Sequence, residues 1–143
     1  MMPSTLAFAD LARLLAAGAN QVKQNHELLS KLDSATGDGD HGTTMKRTAD
    51  AMIESVRDCE PKAIQPLLAS LGWNVMSVDG GSTSPLLGSF FMGMSEAADI
   101  LRQFPEWPRA QVAQVVSENQ AVAILLQRAF GDVRAPQLLA PNS

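Results

Sequence analysis

Apolar residues recur at three- to four-residue intervals along most of the chain, and no window alternates apolar and polar residues over the length of a strand. A period near 3.6 buries one face of a helix, whereas a half-buried strand needs a period of 2. Tyrosine is absent and clusters of β-branched residues are short, so the side chains that pleated surfaces favour are also scarce. The pattern predicts an all-α fold, an antiparallel bundle of helices. No repeat of fixed period and no low-complexity tract interrupts it.

The periodic segments are separated by two glycine-rich breaks. Leu11, Leu14, Leu15, Gly18, Ala19 and Val22 mark a first helix, with Ser4-Thr5 as its expected cap. A short helical piece from His26 to Leu32 runs into Gly37, Gly39 and Gly42, which end it. Thr43-Thr44 is the expected cap of a helix striped by Met45, Ala49, Met52, Ile53 and Val56. The next helix is expected to start near Pro61, to carry Ile64, Leu67, Leu68, Leu71, Val75 and Val78, and to stop at Asp79-Gly80-Gly81. Ser82-Thr83-Ser84-Pro85 then opens another, because proline suits a first turn where its missing N–H is not needed. Its Phe90, Phe91, Met92 and Met94 are read as core, and Gly88 and Gly93 as points of close helix contact. A last helix begins at Pro108 and carries Val112, Val115, Val116, Ala123, Ile124 and Leu125. The chain reads as a single helical domain over 1–130 with an irregular, proline-rich tail over 131–143.

A net charge of −4 gives no basic field of the kind that nucleic acid requires. An acidic protein that binds phosphate does so through a cation or through backbone N–H groups. Cys59 is the only cysteine and has no partner, so it reads as an incidental thiol in a reducing compartment. No apolar run approaches the ~20 residues that span a bilayer, and the N-terminus lacks a basic segment followed by an apolar one. The expectation is a cytoplasmic protein with neither nucleic acid nor membrane as partner.

Chemistry concentrates in Leu32-Asp33-Ser34-Ala35-Thr36-Gly37-Asp38-Gly39-Asp40-His41-Gly42. Asp33, Asp38 and Asp40 fall within eight positions, and the glycines let the backbone bring their carboxylates together. Converging carboxylates repel one another unless a cation sits between them. Hard oxygens select magnesium, calcium or manganese, and magnesium keeps positions open for water or phosphate oxygens. Asp-Gly-Asp alone is more often a solvated turn than a metal site. The third aspartate and His41-Gly42-Thr43-Thr44 shift the reading towards a metal loop that faces nucleotide phosphates.

Two related motifs fail on spacing. An EF-hand opened by Asp38 would need glutamate where Ala49 stands, and one opened at Thr36 would put His41 where glycine is required. Gly37 to Thr44 approaches the P-loop pattern, but Thr43 replaces its lysine, two aspartates occupy the loop and no strand precedes it. What survives is the helix start: Gly42-Thr43-Thr44 offers free N–H groups to an anion. His41 is open to three roles, as phosphate donor, metal ligand or structural residue. At the second break, Gly80-Gly81-Ser82-Thr83-Ser84-Pro85 offers small residues and hydroxyls at a helix start, which suits a ligand or a plain C-cap and N-cap pair.

The loop from Leu32 to Gly42, followed by Met45 and Arg47, and the run from Gly80 to Phe91 together resemble the nucleotide-binding L domain of dihydroxyacetone kinases. Both motifs stand in the order and separation of that family. The likeness is strong from about Asp33 to Phe91 and weak after Arg102. It implies a barrel of antiparallel helices with a nucleotide, ADP or ATP, and two magnesium ions at one end. Asp33, Asp38 and Asp40 would be the metal ligands. His41, Gly42, Thr43, Thr44, Gly81, Ser82 and Thr83 would line the phosphates. A separate K subunit would hold dihydroxyacetone, and the donor would be ATP or a phosphocarrier of the phosphotransferase system. Catalysis would then rest on positioning and on neutralising charge, with no side chain of this chain as the chemical catalyst.

The sequence also departs from the family. Thr44 stands where asparagine is common and Ser84 where glycine is usual. Gly131-Asp132 keeps only the first two residues of the family's Gly-Asp-Lys-Thr-Met-x-Asp motif, and the family's later helices are expected to be missing. A barrel short of helices exposes apolar faces unless another chain covers them, which adds a second copy of this chain to the expected partners. The alternative to a phosphotransferase subunit is therefore a non-catalytic, truncated or regulatory L-like module that retains partial magnesium or nucleotide binding.

Overall fold

A computed structural model of the protein describes residues 6–79, 81–108 and 110–118. Five helices follow in order: α1 (Phe8–Gln24), α2 (His26–Asp33), α3 (His41–Asp58), α4 (Ile64–Met76) and α5 (Thr83–Gln103). Residues 110–118 are also helical. No strand occurs among the described residues, as the apolar period predicts. The expected cap Ser4-Thr5, the apolar positions Ala123, Ile124 and Leu125, and the tail over 131–143 lie outside the described residues.

Backbone contacts divide the chain into two compact units, Met1–Ser95 and Glu96–Ser143. The first holds the glycine-rich loop. In it α3 packs against α1, α2 and α4. The core is built from Leu11 and Ala19 of α1, Ala49 of α3, Leu67, Leu68, Leu71 and Val75 of α4, and Phe91 of α5. The α4 residues fall at helical spacing on one face, and each buried leucine or valine contributes roughly 1.5–3 kcal/mol.

α3 has neighbours on several sides, and its buried face differs from the expected stripe. Gly42, Thr44, Thr48, Ala49 and Ser55 are buried, while Met45, Met52, Ile53 and Val56 are only half-buried. Small side chains let three helices approach one backbone, which long ones would prevent. Ser55 Oγ donates to the Ala51 carbonyl at 2.8 Å and accepts the Asn74 amide at 2.7 Å, tying α3 to α4. Lys23 pairs with Asp50, tying α1 to α3.

α4 and α5 run in opposite directions, because Gln65 bonds Ser95 while Gly72 meets Gly88 further along. A Cβ on Gly88 would collide with the Met76 side chain and lie 2.8 Å from the Gly72 carbonyl. Of the residues read as core on α5, Phe91 is buried but Phe90 is 59% exposed, and the neighbouring Leu86 is 69% exposed.

Helix starts also differ from expectation. α1 is capped at Ala7, whose N–H is accepted by Asp10. α3 starts at His41 with Asp40 as its N-cap, so Thr43 and Thr44 lie in the first turn and do not cap it. α4 starts at Ile64, after a cis Glu60–Pro61 peptide.

In the second unit, Arg102 pairs with Asp99 and the Phe104 and Trp107 rings stack with centroids 4.8 Å apart. Among the described residues no helix is long and apolar enough to cross a membrane.

Candidate metal and nucleotide site

Asp33 is the last residue of α2, where the negative end of the helix dipole disfavours a carboxylate. Compensation comes from the loop. Asp33 Oδ2 accepts the Gly39 N–H at 2.9 Å and the His41 N–H at 3.3 Å, so the chain folds back onto the helix end. Gly39 makes that return at φ 80°, a conformation that side chains with a Cβ rarely adopt. Gly37 closes the preceding turn, its N–H donating to the Asp33 carbonyl at 2.6 Å.

The return brings the three aspartates together. One carboxylate oxygen from each of Asp33, Asp38 and Asp40 lies within 4.8 Å of the others. Asp33 is half-buried, and Asp38 and Asp40 face solvent. The Asp40 N–H donates to Asp38 Oδ1 at 3.3 Å, and this bond is the main reason that the Asp38 carboxyl sits below its ordinary range. The Asp40 carboxyl is raised, first by a hydrogen bond shared with Asp38 and then by the negative charge of Asp38; Arg47 pulls the other way. The crowding is that of hard oxygen donors held close in water, and this donor set fits a divalent cation of the magnesium type.

His41 to Thr44 follow at once as the first turn of α3. The His41 N–H is taken by Asp33 and the Thr44 N–H by the Asp40 carbonyl at 3.0 Å. The Gly42 and Thr43 N–H groups have no partner among the described residues. These are the positive end of an 18-residue helix, a setting that favours an anion. Thr43 is exposed and His41 half-buried beside the aspartates, whereas Gly42 is buried against α2 and Thr44 is buried in the interior, 3% exposed.

The second break forms the start of α5. Gly81 has φ 56°, Ser82 is exposed, Thr83 is the first helical residue, and the Ser82 carbonyl accepts the Leu86 N–H. No hydrogen bond or ion pair among the described residues links this junction to the aspartate loop. Ser84 is fully buried and its hydroxyl has no partner among the described residues. Two features escape a reading of the sequence. Arg47 bears on Asp40 from almost two turns along α3, and Asp33 anchors the loop as well as lining it. A carboxylate at a helix C-terminus just before a glycine-rich run is the signal for the second.

The DAK2 domain profile matches residues 35–132, about two thirds of the chain. The chain belongs to the DAK2 domain family. This DAK2 match contains Asp38, Asp40 and both junctions, while Asp33 stands two residues before its start. The DAK2 chain is 38% identical over 79 residues to the ADP-binding subunit DhaL of the PEP-dependent dihydroxyacetone kinase 1 of Listeria innocua, covering 55% of this chain and 40% of that one. It is 32% identical over 78 residues to the ADP-binding subunit of the PTS-dependent dihydroxyacetone kinase of Lactococcus lactis, covering 54% and 41%. It is 35% identical over 88 residues to the human triokinase/FMN cyclase, covering 61% and 15%. The matched segment thus spans about two fifths of the bacterial subunits. No solved structure matches the chain significantly. The expected resemblance to dihydroxyacetone kinase L subunits is borne out, and so is the all-α fold.

Proposed function

We propose that this DAK2 chain binds a magnesium-loaded adenine nucleotide and serves as the phosphoryl-delivering subunit of a dihydroxyacetone kinase. The observation that carries the reading is the convergence of the Asp33, Asp38 and Asp40 oxygens within 4.8 Å beside the free N–H groups of α3. Support comes from the relatives in Listeria innocua and Lactococcus lactis, which are ADP-binding subunits of such kinases.

In this reading Asp33, Asp38 and Asp40 hold magnesium, two ions by the family resemblance. The Gly42 and Thr43 N–H groups donate to phosphate oxygens, with His41 beside them and Gly81, Ser82 and Thr83 at the other helix start. Thr44, being buried, contributes through the shape of the first turn of α3. A bound cation supplies neutralisation of phosphate charge, which dominates phosphoryl transfer. The acceptor is dihydroxyacetone held by a K subunit, and the donor is ATP or a phosphocarrier that recharges bound ADP.

Calorimetric titration of magnesium and ADP into the intact chain tests the site. Binding is expected for the wild type and its loss for Asp38→Ala and Asp40→Ala; absence of binding to all of them defeats the proposal. Mixing the chain with a K subunit, dihydroxyacetone and either ATP or a phosphorylated carrier tests the activity. Nucleotide binding without transfer from either donor identifies a non-catalytic L-like module.

A further inference from the structure

The metal loop rests on one face of α2, where it meets the Ser30 and Ser34 side chains and the His26 carbonyl. Ser30 and Ser34 stand one turn apart, ~6 Å along the helix axis. Ser34 Oγ donates to the Ser30 carbonyl at 2.8 Å, which fixes the hydroxyl and turns its lone pairs away from α2. Gly39 lies directly over it: a Cβ there would sit 3.5 Å from the Ser34 Cβ and closer still to its Oγ. The bond that Gly39 would use for a side chain therefore points a Cα–H at the Ser34 hydroxyl. Three residues on, Gly42 meets Ser30 in the same way, where a Cβ would collide with the Ser30 Oγ and the His26 carbonyl. His26, Ser30 and Ser34 fall at i, i+4 and i+8, so a single stripe of α2 bears both glycines that bracket Asp40.

We infer that Ser30 and Ser34 are positioning residues, a two-hydroxyl ledge that sets where Asp38 and Asp40 stand relative to Asp33. Asp33 belongs to α2 itself, while Asp38 and Asp40 reach it only through the loop. The distance between the two groups is therefore governed by what lies between Gly39 and the helix. Loss of the hydroxyl at 34 leaves Gly39 without its seat and weakens its N–H bond to Asp33, whereas a side chain that keeps the hydroxyl on the Ser30 carbonyl keeps the seat. Ser34 acts through Gly39 and touches neither phosphate nor acceptor. The inference rests on the reading of the loop as a metal site for its functional meaning, but its geometric content stands without a metal.

The test compares Ser34→Thr with Ser34→Val in the intact chain, two side chains of nearly the same shape that differ by the hydroxyl. Amide hydrogen exchange of Gly39 and His41, the two donors to Asp33, is measured without metal. Magnesium binding is measured with ADP present. Ser34→Thr is expected to stay near the wild type in exchange relative to Ser34→Val, which should exchange both amides faster while the amides of α4 are unchanged. Displaced supporting groups weaken metal binding by ~10-fold or more, and Ser34→Val is expected to show that loss. Equal exchange at Gly39 and His41 in the two variants overturns the inference, whether or not metal binds. Failure of the wild type to bind magnesium defeats the proposed function instead, and the exchange comparison still decides the role of the ledge.

Discussion

The Asp33 carboxylate accepts the Gly39 N–H at 2.9 Å, so the residue that ends α2 also fastens the loop that follows it. Charge and hydrogen bonding are therefore separable at this position. Asp33→Asn removes the charge but keeps an oxygen for the Gly39 and His41 N–H groups, whereas Asp33→Ala removes both. The asparagine variant should leave stability almost unchanged and abolish magnesium binding. The alanine variant should in addition lose about 1 kcal/mol for each broken bond. Urea denaturation beside a magnesium titration separates the two outcomes.

Gly39→Ala probes the return itself. A residue with a Cβ at φ 80° is strained by roughly 1–2 kcal/mol, and here the Cβ also meets Ser34. The variant should fold with α3 and α4 intact, lose stability by at least that amount and bind magnesium poorly. Circular dichroism and the same titration measure both.

The acidic cluster should reveal itself in the pH dependence of binding. The Asp40 carboxyl is raised above its ordinary value of 3.8, chiefly by its shared hydrogen bond with Asp38, so its ionised form is disfavoured in the folded chain. That penalty is absent below the unfolded value and complete above the folded one. Metal binding requires the ionised form, so affinity should begin to fall at a higher pH than it would for an unperturbed aspartate. Asp38→Asn removes the neighbouring charge and should move the Asp40 titration back down, as followed by carbon NMR of its carboxyl.

The loop was legible because three carboxylates in eight positions have few explanations, and glycines at 37, 39 and 42 imply a return. Less could be read on α3 and α5. Thr44, Thr48 and Ser55 look like surface residues, yet they are buried because α3 is approached from several sides and only small side chains fit. Phe90 looks like core and faces solvent, since helical spacing identifies a stripe without saying whether anything packs on it. Thr43 and Thr44 carry cap chemistry but lost the position to Asp40, because the loop leaves its positive-φ turn at Gly39 and enters the helix directly.

Thr48 illustrates the cost of that buried polar face. It is fully buried and its Oγ1 has no hydrogen-bond partner among the described residues. Valine has nearly the same shape and no hydroxyl to desolvate. Thr48→Val should therefore stabilise the chain, by up to about 1–3 kcal/mol, without altering magnesium binding at the start of the helix. A fall in stability measured by urea denaturation would contradict an unsatisfied hydroxyl at this site.

The crossing of α4 and α5 sets where the second glycine-rich junction stands, because Gly88 lies little more than one turn into α5 from Thr83. At Gly88 the neighbours of an added Cβ include backbone, the Gly72 carbonyl at 2.8 Å and the Met76 nitrogen at 3.1 Å, besides the Met76 side chain. At Gly72 the nearest atoms belong to the flexible Met92 side chain, with the Gly88 carbonyl at 3.0 Å. A side chain can swing aside more readily than a helix backbone can move. Gly88→Ala should therefore cost more than Gly72→Ala, on the order of 1–3 kcal/mol from overpacking, partly offset by the better helix propensity of alanine. If the α5 junction belongs to the nucleotide site, Gly88→Ala should also weaken ADP binding more than Gly72→Ala does, while magnesium binding in the absence of ADP stays the same. Equal ADP affinities in the two variants would detach the α5 junction from the nucleotide and leave the α3 helix start to hold the phosphates alone.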